Sequence, residues 1–222
     1  MDSHRLKRRV SVGMTHFSIN KITVISLVIF VPTMSEFIID FETTGLGPDS
    51  SDPIEVALTH VVSGETWSTL IKLNTVAAIP PFVRALTGIN EDMLADQGLT
   101  TNLALDAFFA FVAKHISPCT RDFVLIAHNA KFDRAFFERF AGKRADEYHI
   151  TWICTLAMAR SLLKDDLKSF KLGEVCDFFY IPNLDSHRAA GDTIATRQLL
   201  LCLRAWPATP EEVQIANELH DI

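Results

Sequence analysis

The sequence predicts one α/β domain, and three stretches carry that reading. Phe37–Phe41 is an apolar, β-favouring run that opens into a Thr43-Thr44-Gly45 turn. Phe123–Ala127 is short and wholly apolar, the pattern of a strand buried on both faces. Thr101–His115 and Arg188–Ala205 read as long helices, the first with Leu105, Phe108, Phe109 and Val112 on its apolar side. With 222 residues, 48% of them hydrophobic, the chain is long enough for one well-buried core and too short for two full domains. Sixteen Phe against two Tyr and three Trp point to a packed interior rather than an aromatic binding surface.

The elements follow in order. Residues 1–33 differ from the rest: Arg8-Arg9 and Lys21 precede the ten-residue apolar run Ile22–Val31 and then Pro32. That run is shorter than the roughly 20 residues of a membrane span. It has the length of a signal-peptide core but lacks a small-x-small cleavage site. The favoured reading is an N-terminal extension ahead of a start at Met34, poorly ordered or outside the native chain, because the first strand begins directly after Met34. The domain is expected to span 34–206, and 207–222 to form a short tail with one amphipathic helix at Glu211–His220. Strand one is expected at Glu36–Phe41, followed by a Gly/Pro/Asp/Ser-rich loop at 43–53. Ile54–Val62 and Glu65–Leu73 read as a hairpin turning at Ser63-Gly64. A short helix bearing Phe82, Val83 and Leu86 ends at Gly88, a second covers Asn90–Ala95, and Thr101-Asn102 caps the long helix to His115. After Phe123–Ala127 come a helix at Lys131–Phe140, a strand at Ile150–Ile153, and helices at Thr155–Leu163 and Lys171–Phe179. Asp185-Ser186 opens the last helix and Pro207 stops it.

Charge and cysteine usage narrow the class. Residues 1–33 hold five Lys/Arg and one acid, leaving 16 Lys/Arg against 26 Asp/Glu beyond them. So acidic a body does not coat duplex DNA, which calls for a basic surface. It is compatible with handling a nucleic-acid end through metal ions. Cys119, Cys154, Cys176 and Cys202 are widely spaced and form no CxxC pair, so they read as reduced core residues of a cytoplasmic protein.

The chemistry-bearing residues are acids. Asp40 and Glu42 lie two apart on a strand, so their side chains share a face. Paired carboxylates on an apolar strand call for a cation between them, and oxygen ligands suit Mg²⁺. A strand end whose acids reach solvent explains the pair equally well. Asp133 lies one turn into the helix after the buried strand, and Asp192 lies five residues after His187. Ligand sites in open α/β sheets gather at the carboxyl ends of strands, where all four carboxylates are expected to converge. Taken singly, Asp133 reads as a first-turn helix acid and His187 as a surface residue beside a cap. Asp49 and Asp52 read as solvated loop acids. Lys131, Arg134, Arg139, Lys143 and Arg144 read as a wet helix face, and His128 and Asn129 as shaping a turn.

These segments resemble the DnaQ-like, DEDDh-type 3′→5′ exonucleases. Phe37–Gly45 resembles their first motif, Ala127-His128-Asn129-Ala130-Lys131-Phe132-Asp133 the second, and His187-Arg188-Ala189-Ala190-Gly191-Asp192 the third. Leu86-Thr87-Gly88-Ile89 and Thr155–Arg160 resemble segments found between motifs, so the likeness runs from Met34 to about Ala205. It implies an RNase H-like mixed sheet flanked by helices. It also implies two Mg²⁺ or Mn²⁺ ions held by Asp40, Glu42, Asp133 and Asp192, with His187 as general base. Two such ions stabilise the attacking and leaving oxygens of phosphodiester hydrolysis, and an imidazole suits the proton transfer. Thr43, Thr44, Gly45 and Leu46 are implied as lining the pocket for the terminal nucleotide, Leu46 as a wedge between bases, with Phe132 buried.

The expected function is metal-dependent 3′→5′ exonuclease action on single-stranded DNA, releasing nucleoside 5′-monophosphates. The alternatives are an exoribonuclease trimming RNA ends, separated by contacts to the 2′-hydroxyl, and a catalytically silent scaffold, against which the full set of acids and histidine argues. Single-stranded 3′ ends, a DNA polymerase and a second copy of the chain are the expected partners, with no stable membrane partner. The few residues after Pro207 leave a free-standing repair or turnover enzyme as an equal reading to polymerase attachment.

Overall fold

The computed structural model describes residues 34–206 apart from 74–77, 118, 120, 184 and 185. The expected N-terminal extension, the Asp185 cap, the Pro207 stop and the C-terminal tail lie outside the described residues. Five strands form one sheet in the order β3-β2-β1-β4-β5. They are β1 (Ser35–Thr43), β2 (Pro53–His60), β3 (Thr66–Leu70), β4 (Asp122–Ala127) and β5 (His149–Cys154). β1–β2 and β2–β3 pair antiparallel, β1–β4 and β4–β5 parallel, so the sheet is mixed.

The period of two along β1 decides which side each residue serves. Phe37, Ile39 and Phe41 enter a core with Phe108, Phe109 and Val112 of α3 (Thr101–His115) and Phe136, Phe137 and Phe140 of α4 (Ala130–Ala141). Ile38 points the other way, into a core with Val124, Ile126, Ile153 and Leu200. Leu200 belongs to the last helix, which packs against β1 and β2. Asp40 and Glu42 continue the Ile38 series, so the sheet's own alternation turns both acids toward that helix.

The remaining helices are α1 (Pro81–Thr87), α2 (Glu91–Gln97), α5 (Thr155–Leu162), α6 (Leu172–Phe178) and α7 (Ala189–Ala205). Gly88 ends α1 in the left-handed region at φ 70°, where a Cβ is disfavoured. Several expectations need correction. The cap of α3 is Thr100, whose hydroxyl accepts from Leu103 N–H, and not Thr101-Asn102. The residues α1 buries are Val83 and Thr87, and Phe82 and Leu86 are exposed. A 3₁₀ helix at Gly142–Glu147, unforeseen, links α4 to β5. Of the cysteines only Cys176 is buried; Cys119 is exposed, Cys154 and Cys202 are half-buried, and all four are free thiols.

α7 is fastened to the sheet by polar contacts along its length. Arg188, just before its first turn, grips Glu55 of β2 through Nη2–Oε1 at 2.8 Å and Nε–Oε2 at 3.1 Å. Thr59 of β2 donates to Thr193 at 2.9 Å, and Arg197 Nε to the Val61 carbonyl at 2.7 Å. Arg204 in the last turn grips Glu36 of β1 through two bonds of 2.6 and 2.7 Å. Glu55 and Glu36, both buried, are thus each matched by the planar fork of an arginine.

Candidate active site

Asp40, Glu42 and Asp192 meet where β1 runs out beside the start of α7. One carboxylate oxygen from each lies within 4.8 Å of the others. Burial raises all three pKa values. Asp40 is held well above the usual carboxylate range by desolvation, reinforced by the charges of Asp133, Glu42, Asp192 and Glu55. Desolvation, Asp192 and Glu55 push Glu42 up to about 8, against a partial pull from Arg188. For Asp192, desolvation outweighs the hydrogen bonds that favour its charged form. Crowded carboxylates that resist ionising together are the donor set a hard divalent cation satisfies, so these residues fit such an ion.

Asp192 is held at both oxygens. His187 N–H donates to Oδ2 at 3.0 Å, and Asn183 Nδ2 donates to Oδ1 at 3.2 Å. The Asn183 Oδ1 is itself buried and without a hydrogen-bond partner. His187 is exposed, sits at φ 64°, and borders a cleft of about 380 Å³ with Lys171, Asn183, Ser186 and Asp192. That φ is uncommon for a residue with a Cβ and marks a constrained turn.

Asp133 joins the three from a different element. It comes from α4, which packs on the opposite face of β1, and its Oδ1 accepts the Phe41 N–H at 3.2 Å. Only 2% exposed, it lies behind the strand end and raises the Asp40 pKa through its charge. Three of the four expected carboxylates thus offer oxygens within 4.8 Å of one another, and Asp133 adjoins them from α4, its charge acting on Asp40 ahead of those of Glu42 and Asp192.

The loop after β1 is knotted at its base. Thr44 N–H donates to the Asp52 carbonyl and Asp52 N–H to the Thr44 hydroxyl, both at 2.9 Å, while Thr43 Oγ1 donates to the Gly45 carbonyl at 2.6 Å. A Cβ on Gly45 would stand 2.6 Å from Ser51 Oγ, so the closeness of the two loop limbs favours glycine there. Arg139 of α4 reaches across to the Pro48 and Ser51 carbonyls and to Asp52 Oδ1, the last at 2.7 Å. Asp52 is thus a buried partner of Arg139, not a solvated acid, while Arg139 itself stays exposed as it makes these contacts. Leu46 projects from this loop 86% exposed. Phe132 is half-buried against Phe136.

His128 bridges Thr155 Oγ1 at 3.0 Å and the Phe170 carbonyl at 2.8 Å. The carbonyl can only accept, so Nε2 carries the proton, and burial favours this neutral form by lowering the pKa. Asn129 takes φ 77° at the turn into α4. Both residues shape the turn, as expected. Glu55, Arg139 and Asn183 are the residues that sequence reasoning missed. Only Glu55 carries a signal, as a lone acid inside the apolar strand Ile54–Leu58.

The exonuclease family model RNase_T matches residues 37–200. DNA polymerase III PolC-type of Caldanaerobacter subterraneus subsp. tengcongensis is 33% identical over 170 residues, covering 75% of this chain and 11% of that protein. The 3′-5′ exonuclease DinG of Staphylococcus epidermidis is 30% identical over 168 residues, covering 74% of this chain and 17% of that protein. The chain thus spans only a small fraction of these relatives' length. E. coli Exonuclease I, in a crystal structure with a dT13 oligonucleotide, shares the fold at a TM-score of 0.66 and 17% identity, covering 78% of this chain and 41% of that one. This chain belongs to the RNase T/DnaQ-like 3′→5′ exonucleases, a metal-dependent family.

Proposed function

We propose that the chain removes nucleotides from the 3′ end of single-stranded DNA as nucleoside 5′-monophosphates. The observation that carries this is the three-acid cluster with His187 tethered to one of its members. Asp40, Glu42, Asp133 and Asp192 would hold Mg²⁺ or Mn²⁺, two ions per site, Asp133 also accepting the Phe41 amide. When bound, the ions neutralise charge on the scissile phosphate and acidify the attacking water. His187, exposed at the mouth of the cleft, takes the proton from that water. The knotted loop presents Thr43, Thr44, Gly45 and Leu46 to the terminal nucleotide, with Leu46 free to slip between bases.

The choice of DNA is supported by Exonuclease I, solved with dT13 and dA16, and by the likeness to a DNA polymerase. A polymerase is accordingly the proposed protein partner. Among the described residues no helix is long and apolar enough to cross a membrane.

The test is digestion of 5′-labelled single-stranded DNA and a matching RNA with Mg²⁺, Mn²⁺ or EDTA. A metal-dependent ladder shortening from the 3′ end, lost in Asp40→Ala and slowed to a small residual rate in His187→Ala, is the expected result. Faster loss of RNA would replace the substrate assignment. No ladder on either strand, with no Mn²⁺ binding by calorimetry, would leave a scaffold.

A further inference from the structure

We propose that Glu55 and Arg188 form a positioning pair that holds His187 over the acidic cluster. This rests on the exonuclease reading and adds two residues to it. Glu55 faces Glu42 directly across the β1–β2 ladder, so it stands on the same side of the sheet as the metal-binding acids. Its side chain is 3% exposed, yet it lies outside the set of three. A further buried carboxylate beside three others is an unfavourable placement unless its contacts serve a purpose.

Its side-chain hydrogen bonds lead to one place. Arg188 binds both of its oxygens, and Ala189 N–H donates to Oε2 at 3.0 Å. These are the two residues that directly follow His187. On the other side, His187's own N–H is tied to Asp192. The exposed imidazole gains little from packing, and its backbone sits in a left-handed conformation that a non-glycine residue holds only when its surroundings enforce it. Anchors on Asp192 and Glu55 supply that enforcement. An arginine suits the second anchor because its fork engages both carboxylate oxygens in one plane, which a lysine cannot do.

The test is a mutant cycle. Glu55→Gln and Arg188→Lys are each made in the parent and in His187→Ala, and kcat and KM are measured on single-stranded DNA. In the parent each substitution should lower kcat by about 10–100-fold, the usual loss when a partner behind a metal site is removed, with KM unchanged. In His187→Ala neither should change the residual rate by more than about threefold, because no imidazole remains to be placed. Amide hydrogen exchange at residues 186–190 should rise in Glu55→Gln. Equal losses in both backgrounds, an unchanged parent kcat, or unaltered exchange would overturn the pair. If Glu55→Gln fails to fold, Arg188→Lys carries the same cycle. An inactive parent overturns the exonuclease reading and the pair together, whereas an active parent with additive losses overturns the pair alone.

Discussion

Glu42→Gln should stabilise the metal-free protein, although Glu42 is a proposed metal ligand. The Glu42 carboxyl rises from an ordinary value of 4.5 to about 8 in the folded chain, through desolvation and then Asp192 and Glu55. The unfolded chain is therefore free to ionise this group from about pH 4.5 upward, while the folded chain resists until about pH 8. The sign follows: the folded state binds the extra proton, so stability is fully present below the lower value and is lost as pH rises through the upper one. At about pH 7 the interval amounts to roughly 3 kcal/mol, at 1.36 kcal/mol per pH unit. Glutamine keeps the shape and cannot ionise. In EDTA the variant should melt above the parent at neutral pH, by roughly 2–4 °C for each kcal/mol, and the two should converge toward pH 4.5. Added Mg²⁺ should raise the parent's melting temperature more than the variant's. The assay is thermal unfolding followed by circular dichroism from acid to mildly alkaline pH, with EDTA or Mg²⁺. A variant less stable than the parent at neutral pH, or a gap independent of pH, would refute the reasoning.

Other expectations follow from the same geometry. Arg139→Met should cost about 1–3 kcal/mol, because Asp52 and two loop carbonyls lose their donor, and it should raise KM; denaturant unfolding and steady-state kinetics check both. Leu46→Ala should leave stability within about 0.5 kcal/mol, since the side chain is already solvated, yet weaken single-stranded DNA binding in a titration; unchanged affinity would remove Leu46 from the substrate path. His60 stacks on His115 at 4.1 Å, and burial followed by His115's charge lowers its pKa below 6.5. Its contribution is present above that value and lost as pH falls through the depressed one. With Mg²⁺ present to quiet the acids, His60→Gln should flatten the fall in melting temperature on that side.

What was legible in the sequence is what period and punctuation encode. Alternation along Phe37–Glu42 placed both acids on one face, the apolar run Phe123–Ala127 marked a strand buried on both faces, and Gly88 marked a helix end. Asp133 was located in its helix but not in depth, because the face of the sheet that a helix covers is a matter of packing, not of spacing. The cap of α3 was misplaced by one position because Thr100 and Thr101 are both competent caps, and only the backbone angle at Thr100 selects between them. Arg139 and Asn183 make contacts to remote loops and acids that no local pattern announces.

α4 touches the site from two sides at once. Through Asp133 it holds the Phe41 amide behind the acids, and through Arg139, six residues later, it holds the loop in front of them. Strand end and loop are thereby geared to one rigid rod. A tilt of α4 cannot shift the loop without dragging the peptide between Asp40 and Glu42. Fluctuations of the loop and of that strand end should rise and fall together, opening as one cooperative unit in native-state exchange. Grip on the chain's last nucleotide and spacing of the acids would then be set by a single degree of freedom.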